Sequence, residues 1–436
     1  MKILFAYPPT NLSYGWESLF TFPSGIISVA SYLKRSNIQI EILHEKEFTS
    51  ILFINHLKRY RPDCLAFTCN SHNFQSCCYL SKIAKNILPS IIIIFGGYHA
   101  TYFHNEILKE IDSADIIVRG EGEATFREVA TVLQQALSFK HWKRICGISY
   151  RLPSGAIHTT PPRPSISNLD KIPLFQYDLI DMNKIQIYGF PYKDTRLLFT
   201  TRGCPHNCYF CNNALMWKQC VRYKSIPCII KEMETCKNNF GTKHFCFLDP
   251  TFTLNKTRVY SLCKELLKNK RAFKWSCGTR FDCIDKKLLL AMQKAGCVKI
   301  VYGLESFSPR LLKRMGKNQN LSQAVDIINY THRIGMISKV TFLLGYPGED
   351  ETSLLENLKT MQQIHKNVVI NINLFELYPG TTVYEYLKKN RFISDSIWFK
   401  GFHPDEFIRR FYPDVFIKKI DLTKNILEKH FTIDPE

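Results

Sequence analysis

The sequence predicts an α/β protein, with a doubly wound, Rossmann-like sheet followed by a partial (β/α)6 barrel of the TIM type. Short apolar runs alternate with helix-period patterns over two long stretches, and a proline-rich stretch separates the two. Glycines and polar residues gather where the predicted strands end, the edge at which such sheets bind ligands. On these observations the 436 residues divide into the ranges 1–140, 141–195, 196–380 and 381–436.

The first range alternates five predicted strands with five predicted helices. The strands cover residues 3–6, 38–43, 65–68, 91–95 and 116–118. The helices cover residues 25–36, 50–60, 73–87, 104–111 and 124–137. Because each strand is followed by a helix, the strands are expected to run parallel, with helices on both faces of the sheet.

The second range is predicted to be a connecting strap, and the third a second α/β unit. Residues 147–151 indicate a short hairpin strand, and residues 159–164 hold too many prolines for a helix or a central strand. The strands of the third range are predicted at 197–199, 244–248, 273–277, 298–303, 339–344 and 368–374. The intervening helices are predicted at 225–238, 256–268, 285–295, 321–335 and 351–365. Six such units curl towards a partial barrel, which the last range is expected to cap.

Composition narrows the class of protein. The formal net charge is +20, but the lysines are spread along the whole chain, so nucleic-acid binding is not favoured. Neither a signal peptide nor an apolar run of spanning length is recognisable in the sequence. We therefore expect a cytoplasmic protein without a membrane span, whose 16 cysteines are reduced.

Cys204, Cys208 and Cys211 form a tight C-x3-C-x2-C loop directly after an apolar strand. Three thiolates on such a loop can each hold one iron of a 4Fe-4S cube, which leaves the fourth iron open to a small molecule. The alternative is a zinc knuckle with His206 or Cys220 as the fourth ligand. In that case the chain would be a basic RNA-binding protein.

The loop resembles the cluster loop of the radical S-adenosylmethionine (radical SAM) enzymes, including Phe210, which in that family packs near the adenine. Four segments of the first range, 8–9, 22–25, 96–101 and 119–123, resemble cobalamin-binding domains fused to radical SAM domains. The D-x-H-x-x-G motif of many cobalamin proteins is absent, and residues 43–46 read Leu-His-Glu-Lys instead. The resemblance implies that cobalamin is held with its own base detached from the cobalt.

The resemblance also implies a set of site residues. The cysteines would hold the cluster, and Arg280 and Glu305 would bind substrate or SAM as catalytic residues. Asp249 would hold the methionine amino group, and His99 would contact the corrin periphery. The full cofactor-binding set is Thr68, Gly96, Gly97, His99, Gly120, Glu121, Gly122, Phe210, Asp249, Arg280, Glu305 and Gly345.

The function implied by the resemblance is C-methylation of an unactivated carbon through a 5′-deoxyadenosyl radical and methylcobalamin. Its cofactors would be a 4Fe-4S cluster, SAM and cobalamin. Its partners would be a small-molecule or peptide substrate and an electron donor such as flavodoxin or ferredoxin. A cobalamin-dependent cyclase or rearrangement enzyme of the same architecture is the alternative within the family.

Overall fold

The computed structural model describes residues 1–9, 22–34, 37–44, 49–136, 138–182, 194–268, 273–404 and 406–433. Two compact units make up the chain. The first unit consists of Met1–Gln186, Leu215–Trp217 and Lys388–His403, and the second of Ile187–Ala214, Lys218–Leu387 and Pro404–Glu436. Predicted positions 35, 36, 45, 46, 137 and 183–193 lie outside the described residues.

The first unit is built on a seven-stranded sheet of order β2-β1-β3-β4-β5-β6-β7. Its strands are β1 (Lys2–Tyr7), β2 (Gln39–His44), β3 (Cys64–Thr68), β4 (Ile92–Gly96), β5 (Ile116–Val118), β6 (Ile148–Arg151) and β7 (Ile157–Thr159). The first five strands are parallel, and β6 and β7 are joined to them antiparallel. This order confirms the predicted doubly wound sheet and the predicted hairpin strand.

Helices cover both faces of this sheet, and residues Ile3–Ala6 of β1 are buried throughout. Burial on both faces explains why β1, β3, β4 and β5 are apolar runs without alternation, whereas the edge strand β2 alternates and is only partly buried. The helices up to the strap are α1 (Ser24–Leu33), α2 (Ser50–Tyr60), α3 (Phe74–Ile87), α4 (Tyr98–Tyr102), α5 (His104–Glu110), α6 (Gly122–Gln134) and α7 (Phe139–Trp142). The short helix α4 was not predicted.

The second unit is built on a parallel seven-stranded sheet of order β16-β15-β14-β13-β12-β11-β8. Its strands are β8 (Thr195–Leu198), β11 (His244–Phe247), β12 (Lys274–Thr279), β13 (Cys297–Glu305), β14 (Ile337–Leu344), β15 (Val369–Leu374) and β16 (Thr432–Ile433). A separate antiparallel pair consists of β9 (Thr201–Arg202) and β10 (Arg222–Tyr223). The six predicted strands are confirmed in order, and the two-residue β16 extends the sheet.

The helices from the cluster loop onward are α8 (Asn213–Trp217), α9 (Ile226–Phe240), α10 (Lys256–Lys268), α11 (Lys286–Lys294), α12 (Pro309–Arg314), α13 (Ala324–Arg333), α14 (Glu351–Met361), α15 (Thr382–Lys389), α16 (Ser396–Phe399), α17 (Glu406–Phe411) and α18 (Asp414–His430). Helix α13 begins three residues later than predicted, because residues 321–323 form a 3-10 turn capped by Asn320. The predicted segment 381–436 is divided between the two units. No helix in the described ranges is long and apolar enough to cross a membrane.

Candidate active site

The cysteine loop leaves the second sheet after β8 and is shaped by a glycine. Gly203 has a φ of +95°, and a Cβ at this position would stand 2.0 Å from the Cys220 carbonyl oxygen. That oxygen belongs to the backbone and cannot swing away as a side chain could. Only glycine therefore fits at the entry to the loop that carries the three cysteines.

Asp249 fixes the start of the same loop. Its Oδ1 accepts from the backbone N–H groups of Thr200 at 2.6 Å and Thr201 at 3.0 Å, and its Oδ2 accepts from the Thr200 hydroxyl. Burial raises the pKa of the Asp249 carboxyl, and these hydrogen bonds act in the opposite direction. In this structure Asp249 holds protein backbone, and its predicted contact with the methionine amino group stays a prediction.

Tyr209 attaches the middle of the loop to two later parts of the second unit. Its N–H donates to the Met315 carbonyl at 2.8 Å, and its carbonyl accepts from the Val383 N–H at 3.0 Å. Gly316 packs against the Tyr209 ring so closely that an added Cβ would stand 2.6 Å from the ring carbons. The loop between the first and third cysteines is thereby held from both sides.

Burial and nearby positive charges act in opposite directions on the thiols of the cysteine loop. Burial raises the pKa of Cys208 and of Cys211, and the positive charge of Lys317 acts against burial at both thiols. Arg280 adds a second opposing positive charge at Cys208, and the Asn213 amide donates to the Cys211 sulfur at 3.2 Å. Because thiolates are the ligand form of cysteine, these residues fit a 4Fe-4S cluster.

Among the described residues, no three His, Cys, Asp or Glu side chains converge as ligands of a single metal ion. A structural zinc ion needs four ligands around one point, which the zinc-knuckle alternative would place at this loop. A cube of four irons instead takes one thiolate at each of three separate corners. The three cysteines of the loop match the three protein-held corners of such a cube in number, whereas a structural zinc ion would need a fourth ligand.

Arg280 and Glu305, the predicted catalytic residues, each hold an oppositely charged neighbour. The Arg280 guanidinium pairs with both carboxylate oxygens of Asp282, at 2.9 and 2.6 Å. Its Nη1 is buried and has no hydrogen-bond partner in the described part of the chain. A buried guanidinium nitrogen with an unmet donor suits a carboxylate or another acceptor of a ligand.

Glu305 ends β13 in an unusual backbone conformation. Its φ is +74°, and the pairing of β13 with β14 shifts register between Gly303 and Glu305. A non-glycine residue at such a φ costs about 1–3 kcal/mol and is typical of functional sites. The Glu305 carboxylate accepts from Lys317 Nζ at 2.7 Å, and both side chains are largely buried.

Gly345 follows β14 and lies in a turn held by the buried carboxyl group of Glu349. The Gly345 N–H donates to Glu349 Oε2, and burial raises the pKa of Glu349 to about 8. Tyr346, in the same turn, lies with its ring centroid 6.3 Å from that of Phe210. Phe210 of the cluster loop and the Gly345 turn, both from the predicted cofactor-binding set, are thus brought together.

In the first unit, several predicted cofactor residues meet at the carboxyl ends of the strands. Thr68 ends β3 beside Gly96, which ends β4. Gly97 has a φ of +102°, and an added Cβ would stand 2.6 Å from the Cys69 carbonyl oxygen. The Gly120 N–H, after β5, donates to the Thr101 hydroxyl at 3.0 Å.

The two remaining residues of this edge begin α6. Gly122 lies so close to Val29 that an added Cβ would stand 3.0 Å from the valine methyl. The Glu121 carboxylate accepts from the Ile166 N–H at 2.7 Å and so holds part of the strap. A contact of Glu121 with a cofactor stays a prediction.

His99 lies inside the first unit rather than on its surface. The imidazole is 0% exposed and packs against the rings of Phe74, Phe103 and Trp398, with its Nδ1 3.0 Å from the Ser71 hydroxyl. Burial lowers the pKa of His99 to about 3, so the ring is neutral. The predicted contact with a corrin stays a prediction, and it would require one of these rings to move.

Lys317, Asp282 and Glu349 are the site residues that the sequence did not single out. Lys317 and Asp282 each carry the charge opposite to a predicted residue, and Glu349 holds the predicted turn. Asp282 lies two positions after Arg280, and this short spacing in the sequence could have indicated the ion pair. No feature of the sequence indicated the role of Lys317, because a lysine after a helix is ordinarily a surface residue.

Two family models match the chain. The radical SAM superfamily model matches residues 198–361, and the B12-binding domain model matches residues 19–130. An uncharacterized methyltransferase of Pyrococcus horikoshii is 30% identical over 99% of this chain and 95% of its own length. An anaerobic magnesium-protoporphyrin IX monomethyl ester cyclase of Rubrivivax gelatinosus is 25% identical over 89% of this chain and 70% of its own.

A solved structure has the same fold. The radical SAM methyltransferase TsrM of Kitasatospora setae, solved with cobalamin and a 4Fe-4S cluster, matches with a TM-score of 0.69. The match covers 89% of this chain and 75% of that one at 16% identity, which supports the fold alone. The two family models and the relative that matches over almost its full length show that the chain belongs to the radical SAM enzymes that carry a B12-binding domain.

Proposed function

We propose that the protein is a cobalamin-dependent radical SAM methyltransferase that acts on an unactivated carbon. The observation that carries the proposal is the cysteine loop, fixed at the carboxyl edge of a partial barrel in a chain whose full-length relative is named a methyltransferase. The predicted cofactors, a 4Fe-4S cluster, SAM and cobalamin, are those of the two family domains. When bound, they supply one-electron reduction, a carbon radical and a methyl group.

The protein's own residues would bind and orient the cluster, SAM and the substrate. Cys204, Cys208 and Cys211 would hold three corners of the cluster, and the Arg280 Nη1 donor would bind a carboxylate or another acceptor of SAM or substrate. The Glu305 carboxylate would accept from hydroxyl or ammonium groups of SAM. Phe210 and the turn at Gly345 would flank the adenine, as in the family. These roles rest on position and chemistry together.

In the first unit, the carboxyl edge of the sheet would hold cobalamin. Thr68, Gly96, Gly97 and Gly120 lie where the backbone can approach a large flat ligand without side chains in the way. The family model for B12 binding covers this edge. Neither His44 nor His99 stands in the D-x-H-x-x-G motif that supplies the lower ligand of cobalt in many cobalamin proteins, so no histidine is proposed for that position.

The test uses anaerobically purified protein, reconstituted with iron, sulfide and cobalamin, and SAM labelled in its methyl group. Label recovered with cobalamin, together with reductant-dependent 5′-deoxyadenosine, supports the proposal. Cys208→Ala is expected to lose the cluster and all 5′-deoxyadenosine formation. Retention of 5′-deoxyadenosine in this variant, or a wild-type protein without iron–sulfur absorption, contradicts it.

The cyclase alternative is favoured by one specific observation, the similarity to magnesium-protoporphyrin cyclases. Substrate turnover separates the two functions, because a cyclase forms product without methyl label.

We further propose a small-molecule or peptide substrate, a flavodoxin or ferredoxin as electron donor, and a cytoplasmic location. Reduction of the cluster by purified flavodoxin, followed by EPR, tests the donor.

A further inference from the structure

Lys317 is fixed beside the cysteine loop by the backbone on both sides of it. Its N–H donates to the Leu312 carbonyl at 2.9 Å at the end of α12. The preceding Gly316, with a φ of +65°, packs on the loop, since an added Cβ would stand 2.7 Å from the Asn207 carbonyl oxygen. The backbone at Lys317 is therefore fixed relative to the cysteine loop.

The Lys317 side chain is buried and paired. Its side chain is 5% exposed, that of Glu305 is 13% exposed, and Nζ lies 2.7 Å from Glu305 Oε1. Gly303 lies under the pair, since an added Cβ would meet Lys317 Nζ at 3.2 Å and Glu305 Oε1 at 3.3 Å. Glycine at 303 thus leaves the space in which the two charges meet.

Stability gives little reason to bury this pair. Taking two charges out of water costs about as much as their attraction returns, so an apolar pair of similar volume would serve the fold equally well. Glu305 also adopts a φ of +74°, which opposes folding. A buried lysine that holds the carboxylate of a residue with a strained backbone, next to a predicted metal site, indicates a functional role.

The other charges that face Lys317 are consistent with such a role. The thiols of Cys208 and Cys211 both experience its positive charge. Arg280 acts on Cys208 alone of these two thiols, and its guanidinium pairs with both carboxylate oxygens of Asp282. Lys317 is itself paired with Glu305, so the fixed feature beside these thiols is the positive end of that ion pair. Its position there agrees with the contacts of Met315 and Gly316 to Tyr209 and Asn207, on either side of Cys208.

We propose that Lys317 is a positioning residue of the cluster site, which holds the Glu305 carboxylate at the end of β13 and raises the reduction potential of the cluster. The inference rests on the proposed function, because it requires that a cluster is bound at the three cysteines. A positive charge next to an iron–sulfur cluster favours its reduced, more negative form. Loss of the charge makes reduction harder.

The experiment is an EPR-monitored redox titration of reconstituted wild-type protein, Lys317→Met and Lys317→Arg. We expect Lys317→Met to lower the ratio of reduced to oxidised cluster about tenfold at the wild-type midpoint, equivalent to about 59 mV for one electron. Lys317→Arg keeps the charge and is expected to titrate close to the wild type. The matched control is Lys243→Met, which removes an exposed lysine paired with Asp194 and should change nothing.

A second readout reports the positioning of Glu305. Addition of SAM is expected to change the EPR spectrum of the reduced cluster, and the SAM concentration for half of this change should rise about tenfold in Glu305→Gln and in Lys317→Met, as for the loss of one charged hydrogen bond. Lys317→Arg should show a smaller rise. A wild-type potential together with wild-type SAM saturation in Lys317→Met overturns the inference.

Two measurements distinguish a folding defect from a direct effect on the reduction potential. One is the iron content, and the other is the potential of the double variant Lys317→Met/Glu305→Gln, which leaves no unpaired buried charge. If this variant binds iron, its potential should still lie below that of the wild type, because the lysine is the charge that the thiols experience. A wild-type potential in the double variant overturns the inference. Absence of a cluster in the wild type would instead contradict the proposed function, so the two failures differ.

Discussion

The buried Glu349 predicts a pH dependence of stability that one substitution removes. Burial raises its pKa from the ordinary 4.5 to about 8, with the negative charge of Asp350 adding to the effect and the Gly345 N–H opposing it. The folded chain therefore keeps a proton that the unfolded chain releases above its lower pKa. The stabilisation from this proton is fully present below about pH 4.5 and is lost as the pH rises through about 8.

The magnitude follows from the difference between the two pKa values. Each pH unit between them is worth about 1.4 kcal/mol, so the second unit loses at most about 5 kcal/mol between the two limits. Glu349→Gln keeps an oxygen acceptor for the Gly345 N–H and cannot ionise. We therefore expect this contribution to the pH dependence to be absent from the variant, which is the more stable protein at about pH 9.

Hydrogen exchange measured by mass spectrometry is the suitable assay, because two compact units need not unfold together. Peptides from residues 337–361 report on β14 and α14, which flank Glu349. The control is Glu351→Gln at the start of α14, since this carboxylate is exposed and pairs with Lys419 on the surface. An equal pH dependence of exchange in the wild type and Glu349→Gln would refute the reasoning.

Three further substitutions test the two candidate sites. Gly203→Ala should prevent cluster assembly, measured by iron content and visible absorption, because the new Cβ would stand 2.0 Å from the Cys220 carbonyl oxygen. Asp249→Ala leaves three buried donors unpaired and should cost about 3–6 kcal/mol, measured by exchange of the loop amides. Gly97→Ala should weaken binding of hydroxocobalamin at least about tenfold in a spectral titration, because its Cβ would stand 2.6 Å from the Cys69 carbonyl oxygen.

Matched controls separate the steric clashes from the backbone strain. Gly335, in the second unit, and Gly155, in the first, have φ values of +80° and +83°, and an added Cβ at either would meet nothing within 4 Å. Equal losses of cluster in Gly335→Ala, or of cobalamin binding in Gly155→Ala, would show that contact is not the cause. Asp249→Asn, which keeps an acceptor oxygen, should lose less stability than Asp249→Ala, and equal losses would contradict the role of these hydrogen bonds.

Local patterns predicted most of the helices and strands. Helix α10 has the predicted bounds, 256–268, because its apolar residues repeat with the helical period and are buried on one side. The central strands of the first sheet were recognisable because burial on two faces requires continuous apolar runs. The six βα units and the doubly wound sheet followed from this alternation.

The role of Asp249 in the folded chain could not be predicted from the sequence. Parallel pairing places Phe247 of β11 opposite Leu198 of β8, so Asp249 emerges beside Thr200, 49 positions earlier in the chain. That register depends on how the two strands align, which neither strand specifies alone. The position of the aspartate after its strand was predictable, and its partners were not.

The sequence by itself determined the class of the fold and the cysteine loop, because periodicity and ligand spacing are properties of neighbouring residues. Only the tertiary structure decided that Lys317 meets Glu305 and that Trp398, from near the end of the chain, covers His99. Such contacts depend on side chains that folding brings together from separate elements. Their energies come from burial and from charges at short distance, which exist only once the chain has packed.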